Sequence, residues 1–233
     1  MAKKARQEAI TAQNTAKILI NVASYRHSLA TLFQDFVTVA ALTLQNGFEP
    51  RNEAWHAREA EYLRIVGQYD RDVIDAMAHC LGGLIMRAQD EHRDHLGELY
   101  MALGIVNKSL GQFFTPYHIS RLMAAISLER KQIEAAIEKQ GYLSLNEPTC
   151  GAGGMVVAAA DVMRELGFDP ETQLRVVAQD ADRHCCRMTY VNCLLHRIPA
   201  TIIWGDTLLV EEKEITHTPA LFLQVARLHQ NAA

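Results

Sequence analysis

Residues 146–154 read NEPTCGAGG, a polar break with three glycines (Gly151, Gly153 and Gly154) between two apolar runs. A chain that leaves a strand, turns tightly and enters a helix needs glycine twice over. Glycine reaches the unusual dihedrals, and its missing side chain lets a ligand approach the backbone. The helix that follows points its free N–H groups at that ligand. Nicotinamide enzymes, phosphate binders and methyl-donor enzymes all use such a loop. The nicotinamide pattern G-x-G-x-x-G fits Gly151 and Gly153 but meets Val156 at its third glycine, which weakens that reading. An ordinary strand-to-helix turn is the plain alternative.

Two carboxylates stand at corresponding places further on. Asp180 closes LRVVAQD, where doubly wound folds place an acid to accept ribose hydroxyls, and Asp206 closes ATIIWGD. Either one alone also serves as a helix N-cap. Together with the glycine turn they mark one edge of one sheet, the expected address of a nucleoside cofactor. Upstream, GQFFTP (111–116) sets Phe113 and Phe114 as an apolar wall before Thr115 and Pro116. Thr as N-cap with Pro in the first turn reads as a helix start, and a hydrophobic staple explains the same residues without a ligand.

The elements that must position these groups fall into two parts. From about Thr15 to Glu138 the pattern is helical. HSLATLFQDFVTVAALTLQ puts Leu29, Leu32, Phe33, Phe36, Val39 and Ala40 on one face. NGFEPRN breaks that helix, further helices begin near Asn52 and Arg71, and DHLGELYMALGI ends at Gly104. After Gly141, YLSLNEP, LRVVAQD and ATIIWGD are strand candidates, separated by the helical runs GGMVVAAADVMREL and DRHCCRMTYVNCLLHRI. That alternation predicts an α/β fold with a parallel sheet and βαβ crossovers: an α-helical N-terminal domain over 1–110 and a Rossmann-like domain over 111–233.

Composition narrows the setting. The net charge of −4 leaves no basic footprint for nucleic acid, and no apolar run approaches the ~20 residues of a membrane span. The N-terminus has no apolar h-region, and five cysteines without a C-x-x-C pair make a poor disulfide framework, so the expected compartment is the cytoplasm. HRDH (92–95) lies on a predicted helix and reads as solvated polar groups rather than metal ligands, and HCC (184–186) lacks zinc spacing.

Six segments then occur in a telling order: LGELYMALGI, GQFFTP, NEPTCGAGGM, VVAQD, YVNCLLHRI and WGDTLL. In this the chain resembles the modification (M) subunits of type I restriction-modification systems, which are S-adenosylmethionine-dependent DNA adenine-N6 methyltransferases. The resemblance implies that Phe113, Phe114, Thr115 and Pro116 hold the methionine end of S-adenosylmethionine. It places Glu147, Gly151, Gly153 and Gly154 along its amino-acid and sulfonium region, Asp180 on the ribose and Asp206 near the adenine. It implies duplex DNA as substrate, read with a separate specificity subunit.

The family's catalytic [N/D]-P-P-[F/Y], which holds the flipped target adenine, is not in this sequence, where no two of the six prolines are adjacent. After WGDTLL only one helix, TPALFLQVARLHQ, is expected, so the cofactor-binding domain is read as shortened, lacking the fourth strand and its catalytic loop. No catalytic residue is assigned. Two readings follow: a methyltransferase, or a non-catalytic member that binds cofactor, DNA or a partner. Without a fourth strand the edge of YLSLNEP lies open. An open edge invites cover from the C-terminal segment, a second copy of the chain or a partner chain.

Overall fold

The computed structural model describes residues 11–23, 27–105 and 114–231. Contacts divide the chain into two compact units, 1–91 with 98–113 and 92–97 with 114–233. The six residues His92–Gly97 therefore belong with the C-terminal unit.

The first unit is helical: α1 (Ala12–Val22), α2 (Leu29–Phe48), α3 (Glu53–Val66), α4 (Arg71–Asp90) and the greater part of α5 (His95–Ala102). Polar N-caps set the starts. Ser28 accepts from the Thr31 N–H, and Asn52 from the Trp55 N–H. In α2 the buried stripe is Leu32, Phe33, Phe36, Val37, Ala40 and Ala41. Val37, four residues after Phe33 and four before Ala41, is buried where Val39 was expected to be. Helix α4 runs unbroken through Gly82 and Gly83, its face of Met77, Cys80 and Leu84 being buried.

The second unit carries α6 (Tyr117–Ser127), α7 (Arg130–Gln140), β1 (Leu143–Glu147), α8 (Gly154–Glu165), the short α9 (Pro170–Gln173), β2 (Leu174–Asp180), α10 (Arg183–Leu195), β3 (Ala200–Trp204), β4 (Glu214–His217) and α11 (Pro219–Asn231). Strand order is β1-β2-β3-β4. The first three strands are parallel, and β4 runs antiparallel to β3. Alternation along β2 buries Leu174, Val176 and Ala178 beneath α8 and α10. Arg175 points to the other face, where its Nε donates to Gln224 of α11 at 2.9 Å. Helix α8 is apolar almost all round, with Val156 to Ala160, Val162 and Met163 buried, because α6 covers the side the sheet does not.

One expectation is corrected here. A fourth strand does exist among the described residues, but it is a hairpin return on β3 rather than a neighbour of β1. Its sequence EITH carries no apolar run, and it forms because Ile215 pairs across from Ile203 while Lys213 N–H bonds Trp204 O. Among the described residues, β2 is the one strand paired with β1.

Candidate functional site

The loop after β1 is built as the glycines require. The Cys150 N–H donates to Gln179 O at 2.9 Å, extending the β1–β2 ladder by one residue. The backbone then turns through Gly151 at φ +54° and Gly153 at φ +86°, and Gly153 is the N-cap of α8. These left-handed dihedrals are the reason for glycine at both positions. At Gly151 a side chain would also meet the Phe114 ring at 3.2 Å. Phe114 therefore packs against bare backbone, forming one wall beside the loop.

Asp180 ties this loop to the end of β2. Its Oδ2 accepts the Gly151 N–H and its Oδ1 the Asp182 N–H, each at 2.9 Å. A carboxylate offers about four lone-pair sites, so two remain for an outside donor pair such as a ribose diol. The carbonyl of Asp180 accepts the Gly205 N–H at 3.0 Å, joining the ends of β2 and β3. Gly205 is glycine for a steric reason, since a Cβ there would lie 1.9 Å from Glu211 O. Asp206 Oδ1 caps the following turn, accepting from Leu208 and Leu209 N–H at 2.8 and 3.2 Å. Thr207 Oγ1 donates to Pro148 O at 2.6 Å and draws this turn against the glycine loop. Gly151, Asp180 and Asp206 thus stand together at the C-terminal edge of three parallel strands.

The remaining candidates sit as follows. Glu147 ends β1, half-buried, with Oε1 accepting the Thr149 N–H at 3.3 Å. Gly154 opens α8 and faces inward, where its missing side chain leaves room for Asp94 Oδ2 and Ser120 Oγ. Thr115 and Pro116 are exposed, and the N-cap of α6 is Pro116 rather than Thr115. The first helical carbonyl is that of Pro116, which accepts from Ile119 and Ser120 N–H, and no side chain caps the start. Phe113 lies outside the described residues.

The electrostatics argue against thiol chemistry. Cys150, Cys185, Cys186 and Cys193 are all free and buried. Their setting pushes three of the thiols up: Cys150 chiefly through its hydrogen bond with Cys186, and Cys185 and Cys193 through burial. Such thiols stay protonated and serve as packing. Cys186 Sγ donates to Ile203 O at 3.4 Å directly under the Asp180 strand end.

The expected solvation of His95 is overturned. It is fully buried, and its ring stacks on His196 with centroids 5.4 Å apart. No cluster of metal-ligating residues occurs among the described residues. Two further side chains, absent from the sequence reading, reach the glycine loop: Thr189 and Asn192 of α10, both fully buried. The helix around them also carries Arg183, His184 and Arg187, so polar type alone does not single them out in the sequence.

Comparison with known proteins gives a family. The profile of the N-6 DNA Methylase family matches residues 91–225. Among solved structures, the chain is similar to the type I restriction-modification system methyltransferase subunit from Streptococcus thermophilus. Identity there is 17%, coverage is 93% of this chain and 61% of that one, and the TM-score is 0.45. It is also similar to a candidate class I S-adenosylmethionine-dependent methyltransferase from Listeria monocytogenes, with 17% identity, coverage of 88% and 54%, and a TM-score of 0.42. The chain therefore spans about three fifths or less of either structure's length. No curated protein matches it.

Proposed function

Since the chain belongs to the N-6 DNA methylase family, we propose that its C-terminal unit is the S-adenosylmethionine-holding part of a DNA adenine-N6 methyltransferase of the type I restriction-modification kind. The observation that carries this is the bond from the Gly151 N–H to Asp180 Oδ2. It brings the glycine turn and the acid of the second strand to one point, with Phe114 on one side and Asp206 on the other. The residues fit the group. Gly151 presents bare backbone beside an aromatic wall, and Asp180 keeps acceptor capacity toward a diol.

In this reading Phe114, Thr115 and Pro116, with Phe113 before them, hold the methionine end. Glu147 and the glycines line its amino-acid and sulfonium region, Asp180 accepts the ribose hydroxyls, and Asp206 borders the adenine. S-adenosylmethionine, when bound, supplies the electrophilic methyl group. What these residues contribute is orientation and exclusion of water, which is where such a reaction gains most. The [N/D]-P-P-[F/Y] contacts to the target base are not among these 233 residues, so the unit described here accounts for holding the methyl donor and not for gripping the target base. A further segment of the polypeptide, a second copy of the chain or a partner chain covers the open edge of β1. Duplex DNA is the substrate, with a specificity subunit reading the sequence, and the setting is the cytoplasm, in keeping with five free cysteines. Among the described residues no helix is long and apolar enough to cross a membrane.

Calorimetric titration with S-adenosylmethionine tests the reading. The chain binds it, Asp180→Ala binds at least tenfold more weakly, and NADH gives no heat. Binding of NADH in preference, or no binding of either, defeats it. Labelled-methyl transfer to adenine in duplex DNA, with and without partner subunits, then separates holding from transfer.

A further inference from the structure

The glycine loop is held from beneath by two side chains of α10. Thr189 Oγ1 donates to Gly151 O at 3.0 Å, and Asn192 Nδ2 donates to Ala152 O at 2.8 Å. Thr189 and Asn192 are three residues apart, hence neighbours on one helix face, and both are fully buried. Asn192 is itself fixed. Its Nδ2 also donates to Asp94 Oδ1 at 2.7 Å, and the same oxygen accepts the Gly97 N–H at 2.7 Å. Two glycines make room for that carboxylate. A Cβ on Gly97 would lie 2.0 Å from Asp94 Oδ2, and one on Gly154 would lie 3.1 Å from it.

In a trans peptide the carbonyl and the next N–H point in opposite directions. Drawing Gly151 O down onto Thr189 therefore turns the Ala152 N–H away from α10. Among the described residues the Ala152 N–H donates to no protein acceptor. A main-chain donor left over in a buried loop is costly unless something outside the chain accepts from it. Gly153 is pinned at the same time, since a Cβ there would meet Thr189 atoms between 3.1 and 3.3 Å away.

We infer that Thr189 and Asn192, the latter anchored by Asp94, are positioning residues for the cofactor loop: they fix its two peptide planes so that the Ala152 N–H is presented to an acceptor on the bound ligand. This rests on the reading that the loop holds S-adenosylmethionine, whose carboxylate is an acceptor of the right chemistry. The arrangement also accounts for His92–Gly97 belonging with the C-terminal unit, because Asp94 works against α10 and the loop.

The test exploits the two halves of threonine. Thr189→Val keeps the packing volume and removes the donor, whereas Thr189→Ser keeps the donor and removes a methyl. Three quantities are measured on the full chain: S-adenosylmethionine affinity by calorimetry, hydrogen exchange of the 151–155 amides, and the melting temperature. If Thr189 positions the loop, Thr189→Val binds about five- to tenfold more weakly and exchanges faster over 151–155. Thr189→Ser then binds within about twofold of wild type even though its melting temperature falls. A packing role predicts the reverse order in all three, and that result overturns the inference. Asn192→Asp, which replaces both donors by acceptors at equal size, weakens binding at least as much as Thr189→Val; if it fails to fold, the Thr189 pair decides. Should wild type itself not bind the probe, the cofactor reading fails. The order of exchange rates among wild type, Val and Ser still confirms or refutes the positioning role.

Discussion

Asp180→Asn separates two jobs that one carboxylate performs. Its oxygens accept the Gly151 and Asp182 N–H groups at 2.9 Å each. An asparagine of the same size keeps one acceptor and turns an NH2 group toward the other donor. A hydrogen bond to a charged group contributes about 1.5–3 kcal/mol. The site is half-buried, so water compensates part of the loss, and a destabilisation of about 2 kcal/mol is expected. For a chain of this size that lowers the melting temperature by roughly 4–8 °C. The second job is on the ligand. Losing one charged acceptor for the ribose diol costs a further ~2 kcal/mol, or roughly 30-fold in affinity. Scanning fluorimetry reads the first effect and calorimetry with S-adenosylhomocysteine the second. A 2′-deoxy version of that ligand completes a double-mutant cycle. If Asp180 faces the ribose, Asp180→Asn and the missing hydroxyl each weaken binding, but together hardly more than either alone. Fully additive losses refute the ribose contact. An unchanged melting temperature refutes the tie between strand and loop.

Other perturbations test other parts of the unit. Burial lowers the His196 pKa from 6.5 to about 4. The unfolded chain then takes up a proton near pH 6.5 that the folded chain refuses until about pH 4, so stability falls by roughly 3 kcal/mol across that window. Urea denaturation from pH 7.5 to 4 should show this slope, and His196→Gln should flatten it. Gly205→Ala forces a Cβ to within 1.9 Å of Glu211 O, and is expected to destabilise by about 2–3 kcal/mol and to loosen the Asp206 turn, measured by melting and hydrogen exchange. Val210, 85% exposed, sits at φ +55°, a costly place for a β-branched residue; Val210→Gly should stabilise by about 0.5–1 kcal/mol in urea titration. Finally, amides of 142–146 should exchange rapidly in an isolated monomer and slowly in whatever assembly covers β1, and uniform protection in a clean monomer contradicts an open edge.

What could be read in the sequence, and what could not, divides along local versus non-local causes. Helix starts at Asn52 and strand ends at Asp180 are written in neighbouring residues, so caps and apolar runs announce them. The glycine turn was legible for the same reason: Gly151 and Gly153 take dihedrals that few other residues accept. Strand β4 was not legible, because EITH has no apolar run and is held by its pairing with β3. His95 reads as a solvated helix residue until the fold stacks it on His196, a hundred residues away. Thr189 and Asn192 were hidden in a different way. Their contacts are with backbone carbonyls of a loop forty residues upstream, and no spacing rule within α10 points to them.

The sheet order bears on where contacts to a target base would have to stand. The three site-bearing strands are parallel, so their C-terminal ends, carrying the glycine turn, Asp180 and Asp206, share one edge. The far side of β3 is closed by β4, and among the described residues no strand pairs with the outer edge of β1, next to the glycine turn. A strand added to β1 in parallel brings its own C-terminal end beside Glu147 and the loop; one added antiparallel brings its N-terminal end there. In the family reading that address is the methyl end of the cofactor, where the [N/D]-P-P-[F/Y] segment has to stand. Whatever supplies the target-base contacts, a further segment of the polypeptide or another chain, should therefore be what protects the β1 edge. Methylation observed while 142–146 exchange freely breaks that link and moves the target-base contacts elsewhere.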